Sequence, residues 1–132
     1  MNLATVEIKA FVPALDFERS KLFYSALGFE IPWSSEGLAY VHRGNTSFLL
    51  QAFAYPEFIK NYVMHMLVEC VDDWHAHVVA SGVAEQFGVR VGAPEDQPWA
   101  MRDFVLFDPS GVLWRIAQNI PSKASSSGVD DA

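Results

Sequence analysis

The chain has 132 residues, of which 51% are apolar and 14% aromatic, enough for one domain with a packed core. Its 16 acidic against 9 basic residues give a formal charge of −7, the wrong sign for a nucleic-acid backbone and the right one for steering a cation. No apolar run approaches the ~18–20 residues that span a bilayer, no charged-then-apolar signal opens the chain, and the lone Cys70 has no disulfide partner, so no membrane is expected and the cytoplasm is the expected compartment.

Residues 5–12 form an apolar run that reads as a strand ending at Val12-Pro13-Ala14, where proline removes a donor and enforces an extended entry into the next element. Residues 16–28 read as a helix with Asp16 as N-cap and Gly28 past its end, placing Phe17, Leu22, Phe23, Ala26 and Leu27 toward the core. Residues 29–33, a Ser34-Ser35-Glu36-Gly37 loop, and strands 38–43 and 46–53 joined through Gly44-Asn45 complete a first module. Residues 54–61, with Pro56, read as a crossover.

The second copy has a strand over 62–71, then a helix over 73–81 capped by Asp72 or Asp73 and closed by Gly82. A short strand near 86–91, a loop over 92–98, and strands 99–107 and 112–118 joined by type I turn chemistry at Asp108-Pro109-Ser110-Gly111 finish it. Each half thus reads β-α-β-β-β. The expected fold class is α+β, one domain over 1–120 with modules at about 5–53 and 62–120 and a polar tail over 121–132. Paired modules of this kind form curved mixed sheets round a cleft, here expected with helices outside and the functional strands facing the concavity.

Outside that frame the sequence offers little chemistry. His75 and His77 lie two apart on a helix, project about 200° from each other and cannot share a metal ion. His42 reads as solvated beside its turn, Cys70 as a small buried hydrophobe, and Ser34-Ser35 lack a paired base. Trp74 and Trp114 read as core. Trp99 differs, because it follows Pro98 after Glu95-Asp96 and opens a strand, where an exposed indole can stack a planar ring. Trp33 sits at the lip of the first module. For both, loop packing or a dimer contact is the competing role. No residue is assigned as catalytic.

The order strand, Val-Pro-Ala-Leu-Asp, helix, Leu-Gly-Phe, hairpin, repeated and ending in Phe-Asp-Pro-Ser-Gly-Val-Leu-Trp, resembles the vicinal oxygen chelate superfamily over residues 5–120. That superfamily holds glyoxalase I, extradiol dioxygenases, fosfomycin-modifying enzymes and bleomycin resistance proteins. The segment Gln97-Pro98-Trp99-Ala100-Met101-Arg102-Asp103-Phe104, with the Asp108–Gly111 turn after it, is most similar to the bleomycin-binding branch, although Ala100 stands where that branch carries glycine.

The resemblance implies metal ligands, where there are any, on the first and last strands of each module. Counting from the helix starts and the last turn places those positions at Lys9, Gln51, Met66 and Arg115, or His65 in place of Met66 if Asp72 is the cap. None of the four is a good ligand for a divalent ion, so no metal and no cofactor is expected, and Lys9 and Arg115 can contact an anionic ligand group or pair internally, Lys9 with Glu7. The resemblance then implies a metal-independent small-molecule binding protein, cytoplasmic and homodimeric, often with exchange of the first strand at a proline like Pro13. Its ligand would be a planar antibiotic-like molecule, cationic if the acidic surface selects it. The ligand-binding candidates are Trp99, Trp33, Lys9, Gln51, His65, Met66, Arg102 and Arg115. The competing class is a divergent metal-dependent glyoxalase-like lyase or dioxygenase.

Overall fold

The computed structural model describes residues 1–122; of the tail expected over 121–132, residues 123–132 lie outside the described part. The first half runs β1 (Phe11–Ala14), α1 (Phe17–Ala26), β2 (Glu30–Ser35), β3 (Leu38–Arg43) and β4 (Thr46–Ala52). A 3-10 turn at Pro56–Phe58 leads into β5 (Val63–Leu67), α2 (Val71–Ser81), α3 (Val83–Phe87), β6 (Glu95–Gln97), β7 (Met101–Phe107) and β8 (Leu113–Asn119). Two four-stranded mixed sheets result, in the orders β1-β4-β3-β2 and β5-β8-β7-β6. In each, the strand before the helix lies parallel to the last strand of its own half. The β-α-β-β-β repeat read from the sequence is therefore the architecture of the chain.

The caps explain the helix ends. Asp16 accepts from the Arg19 backbone N–H, and Gly28 takes φ +96 beyond α1, as Gly82 takes +75 beyond α2. The start of α2 differs from expectation, since Cys70 holds the N-cap position without a side-chain bond and Asp72 and Asp73 lie inside the first turn. Cys70 is half-buried there.

Four boundaries move. β1 begins only at Phe11 and runs through Pro13, which an edge strand tolerates, so residues 5–10 form no strand. Met1, Leu3, Val6 and Ile8 stand 80–108% exposed in that arm. β2 continues to Ser35, leaving Glu36-Gly37 as a two-residue turn. Of the strand expected near 86–91, residues 86–87 end α3 and 88–90 are irregular, with Val91 alone bridging to Leu106. The loop expected over 92–98 contains β6, and Trp99 sits in a turn instead of opening a strand.

The halves are joined through their helix-bearing faces. Strand alternation sends Val12, Ala39, Val41, Phe48 and Leu50 of the first sheet, and Met66, Phe104, Leu106, Trp114 and Ile116 of the second, into one buried cluster. On α1 the stripe that meets it is Ser20, Phe23, Tyr24 and Leu27; Leu22, expected inward, lies off that stripe and is 63% exposed. Tyr24 touches Phe48 at 5.1 Å and Trp114 at 5.8 Å, and Phe48 meets Trp114 at 5.3 Å, so rings from both sheets and α1 share one knot. The helices thus lie with the common core and not outside, and the opposite faces of both sheets are turned away from it.

A polar chain fastens the same junction. The Trp114 indole N–H donates to Tyr24 Oη at 2.9 Å, and the Tyr24 hydroxyl donates to Asp108 Oδ2 at 2.6 Å. Asp108, 2% exposed, also accepts from the backbone N–H groups of Ser110 and Val112 and so shapes the turn expected at 108–111. At the other side of the junction His77 of α2 hydrogen-bonds the Leu27 carbonyl at 2.6 Å, and the Arg43 guanidinium donates to the Gly28 carbonyl while lying 4.9 Å from the Trp74 ring. His75 and His77 are accordingly spent on packing.

Candidate functional site

The hairpin of β6 and β7 carries the most exposed tryptophan of the chain. Gln97 pairs with Met101, so Pro98, Trp99 and Ala100 form a three-residue turn, and Trp99 at its tip is 57% exposed. Such turns close on a left-handed residue, and Ala100 takes that role at φ +62, the only described non-glycine residue with positive φ. The glycine of the resembling branch is therefore replaced where glycine is favoured. Ala100→Gly is expected to raise stability by about 0.5–1 kcal/mol, the left-handed strain removed less the entropy glycine adds to the unfolded chain, as urea denaturation would measure.

Side chains hold this hairpin from both faces. On the helix-bearing face Arg102 bridges Asp96 of β6 at 3.0 Å and Asp72 of α2 at 3.1 Å, and those two carboxylates, Asp96 first, raise its already high pKa. On the open face Gln97 donates to Asp103 Oδ1 at 2.9 Å. Ile120 donates its N–H to the Ala100 carbonyl, and a cavity of about 800 Å³ lined by Asp96, Gln97, Pro98, Ala100, Arg102 and Ile120 lies at the base of the turn.

The open face of the second sheet presents His65, which pairs in register with Arg115, itself opposite Val105. Met66, one residue on, is 8% exposed and belongs to the core, so of the two registers left open by the sequence the structure turns His65 outward and Met66 away from the site. Arg115 donates to Asp103 Oδ2 at 3.0 Å. A notch of about 210 Å³ beside them is lined by Arg90, Glu95, Gln97, Asp103, Val105 and Arg115.

On the open face of the first sheet one register row crosses all four strands: Trp33, Tyr40, Leu49 and Phe11. Trp33 is 49% exposed and lies on β2, not in a loop. Gln51 is exposed two residues along from Leu49, opposite Leu38. Lys9 precedes β1 and pairs with Glu7 at 3.0 Å, as one of its two expected roles has it. Glu7 also accepts from the hydroxyls of Ser47 and Tyr40, and these bonds, Ser47 first, then Lys9 and Tyr40, lower its pKa to about 2. Lys9, Gln51 and Trp33 thus belong to one face and His65 and Arg115 to another, with Trp99 at the rim of the second. One chain does not bring the two groups together.

The geometry agrees with the comparisons. The family model of the glyoxalase/bleomycin resistance protein/dioxygenase superfamily matches residues 8–116. The chain belongs to this superfamily. A bleomycin resistance protein of Klebsiella pneumoniae is 28% identical over 113 residues, covering 82% of this chain and 88% of the relative. The crystal structure of a bleomycin-binding protein complexed with bleomycin superposes with a TM-score of 0.76 at 26% identity, over 87% of this chain and 99% of that one. A lactoylglutathione lyase from Agrobacterium tumefaciens, at 16% identity and a TM-score of 0.62 over 86% of this chain and 94% of that one, shares the fold.

The residues at the four positions implied as the superfamily's metal positions do not fit a divalent ion. Lys9 and Arg115 are cations paired with Glu7 and Asp103, and the remaining amide of Gln51 and imidazole of His65 stand on different sheets. Among the described residues no three His, Cys, Asp or Glu side chains are grouped to hold a metal.

Two residues of these faces escaped sequence reasoning. Tyr40 could have been found from the hairpin, since a two-residue turn at Glu36-Gly37 sets Trp33 opposite it. Asp103 could have been found from alternation, since Phe104 and Leu106 facing the core turn Asp103 to the other side.

Proposed function

We propose that this protein binds and sequesters a planar, cationic antibiotic of the bleomycin type, as a homodimer and without a metal of its own. The observation that carries this reading is Trp99, an indole held in the open at the tip of a hairpin anchored on both faces. The formal charge of −7 favours a cationic ligand, and the similar proteins include one crystallised with bleomycin. The cations at two of the four metal positions speak for binding over lyase or dioxygenase chemistry. A lone Cys70 suits the reducing cytoplasm, where we place the protein.

Bleomycin titrated into the purified chain should bind with or without prior chelator treatment. Trp99→Ala should remove about 1–3 kcal/mol of that binding while the thermal melt stays with the parent. Undiminished binding by Trp99→Ala would make Trp99 structural, and stoichiometric tightly held metal in the purified protein would return the reading to the enzyme class.

The dimer is proposed from what one chain leaves uncovered. Met1, Leu3, Val6 and Ile8 on the arm, and Phe11, Trp33, Val63 and Leu67 on the two open faces, are large apolar groups 49–108% exposed. A second copy would cover them, with the arm beyond Pro13 reaching across, and would join the first-sheet face of one chain to the second-sheet face of the other. Sedimentation at micromolar concentration should show a dimer, with an interface on the order of 1,600 Å² in total, and removal of residues 1–8 should shift it toward monomer. A monomeric parent would overturn this assembly.

A further inference from the structure

We propose that Asp103 is the positioning residue of the second sheet's open face, one buried carboxylate that fixes both the hairpin carrying Trp99 and the guanidinium of Arg115. The inference deepens the binding reading above and rests on it for the ligand, but not for the geometry.

Asp103 is buried where burial is least expected. Its neighbours Phe104 and Leu106 point to the core, so Asp103 emerges on the open face, yet it is only 3% exposed. A carboxylate shielded from water is costly unless its oxygens find donors. Here each finds one: Oδ1 accepts from Gln97 Nε2 at 2.9 Å and Oδ2 accepts from Arg115 at 3.0 Å. Glu95 stands directly opposite Asp103 in the β6–β7 register, and Arg115 offsets the repulsion of that like-charged pair.

The two donors come from the two parts of the face that a ligand would use. Gln97 is the residue before the Pro98–Ala100 turn, and β6 is a three-residue edge strand whose one neighbour is β7. Its lateral position on the open side therefore depends on Gln97 reaching Asp103. The Arg115 side chain makes no other hydrogen bond among the described residues, so its remaining guanidinium N–H donors stay available beside His65. The two oxygens serve the two partners at once, one each. A leucine in its place offers no acceptor to either, whereas an asparagine could still satisfy both once the Gln97 amide turns over.

The test uses the full chain labelled with 5-fluorotryptophan, whose four indoles give four ¹⁹F resonances, with that of Trp99 assigned by its loss in Trp99→Phe. In Asp103→Leu the Trp99 resonance should shift and sharpen toward that of a free indole while Trp74 and Trp114 hold their positions. Gln97→Leu, a milder change that cuts only the hairpin link, should reproduce the Trp99 shift if Asp103→Leu fails to fold. An unmoved Trp99 resonance, or a shift of all the indoles together, would overturn the positioning role, the latter by making Asp103 a residue of general stability.

Bleomycin titration supplies the second readout. Asp103→Leu should weaken binding about tenfold in the parent, but by less than about twofold once Trp99→Ala and Arg115→Gln are both present, because nothing remains to position. The full loss in that background would overturn the proposal. A parent that does not bind bleomycin would refute the ligand reading alone, leaving the ¹⁹F shift to decide the role of Asp103.

Discussion

Trp114→Ala is expected to lower the free energy of unfolding by about 3–5 kcal/mol. The side chain is 5% exposed and packs against Tyr24, Phe29 and Phe48, rings drawn from the other half of the chain. Truncation would leave a cavity in the core that the two sheets share, and it would take from Tyr24 Oη the indole donor it accepts. Little collapse can fill that space, because the strands on either side are fixed by their ladders. Equilibrium urea denaturation measures the loss, and a value below about 1.5 kcal/mol would mean that the ring knot is not what joins the halves. Set beside Trp99→Ala, which should lose ligand and keep stability, the mutant separates core from binding surface in one pair of proteins.

Asp108→Ala is expected to cost a similar amount, about 3–5 kcal/mol, for a different reason. Removing the carboxylate leaves the Tyr24 hydroxyl and the N–H groups of Ser110 and Val112 without their acceptor, in a region closed to water. The parent should also show a pH signature that the mutant lacks. Burial, outweighing the hydrogen bonds from Tyr24, Val112 and Ser110, raises the Asp108 carboxyl above its ordinary value of 3.8. The folded chain therefore holds this proton to higher pH than the unfolded chain does. Stability from this group is fully present below the ordinary carboxyl value and is lost as pH rises through the raised one. Thermal melts of parent and mutant from about pH 3 to pH 7 should differ by that component, and an identical pH profile would assign Asp108 no such role.

The duplicated plan was legible because its signals are local. Asp16, Gly28 and Gly82 mark helix ends by side-chain capping and positive φ, and the Asp108 turn arises from chemistry within four residues. What was not legible depends on partners far along the chain. Residues 5–8 alternate like a strand, but pairing of the first strand with β4 begins only at Phe11. Residues 86–87 read as extended by propensity, whereas the core buries Val83 and Phe87 on a helical turn. The candidate site was half readable. Trp99 announced itself by its place after Glu95-Asp96 and Pro98, but the choice between His65 and Met66 needed the register of β5 on β8, and Arg102 needed Asp72, thirty positions away, to show that its charge is occupied. No periodicity told which side of each sheet would face the other.

The shared interior gives the repeat a meaning its symmetry hides. Two copies of one motif suggest two units that could fold, or be inherited, one at a time. The common knot of Tyr24, Phe48 and Trp114, and the hydrogen bonds that run from α1 into the turn after β7, deny them that independence. Neither copy owns an interior; each supplies half of a single one, so the chain should melt as one cooperative body with no stable half-folded species. A single copy expressed alone would have to bury its half of that interior against a second molecule, so it should either stay unfolded or pair with itself.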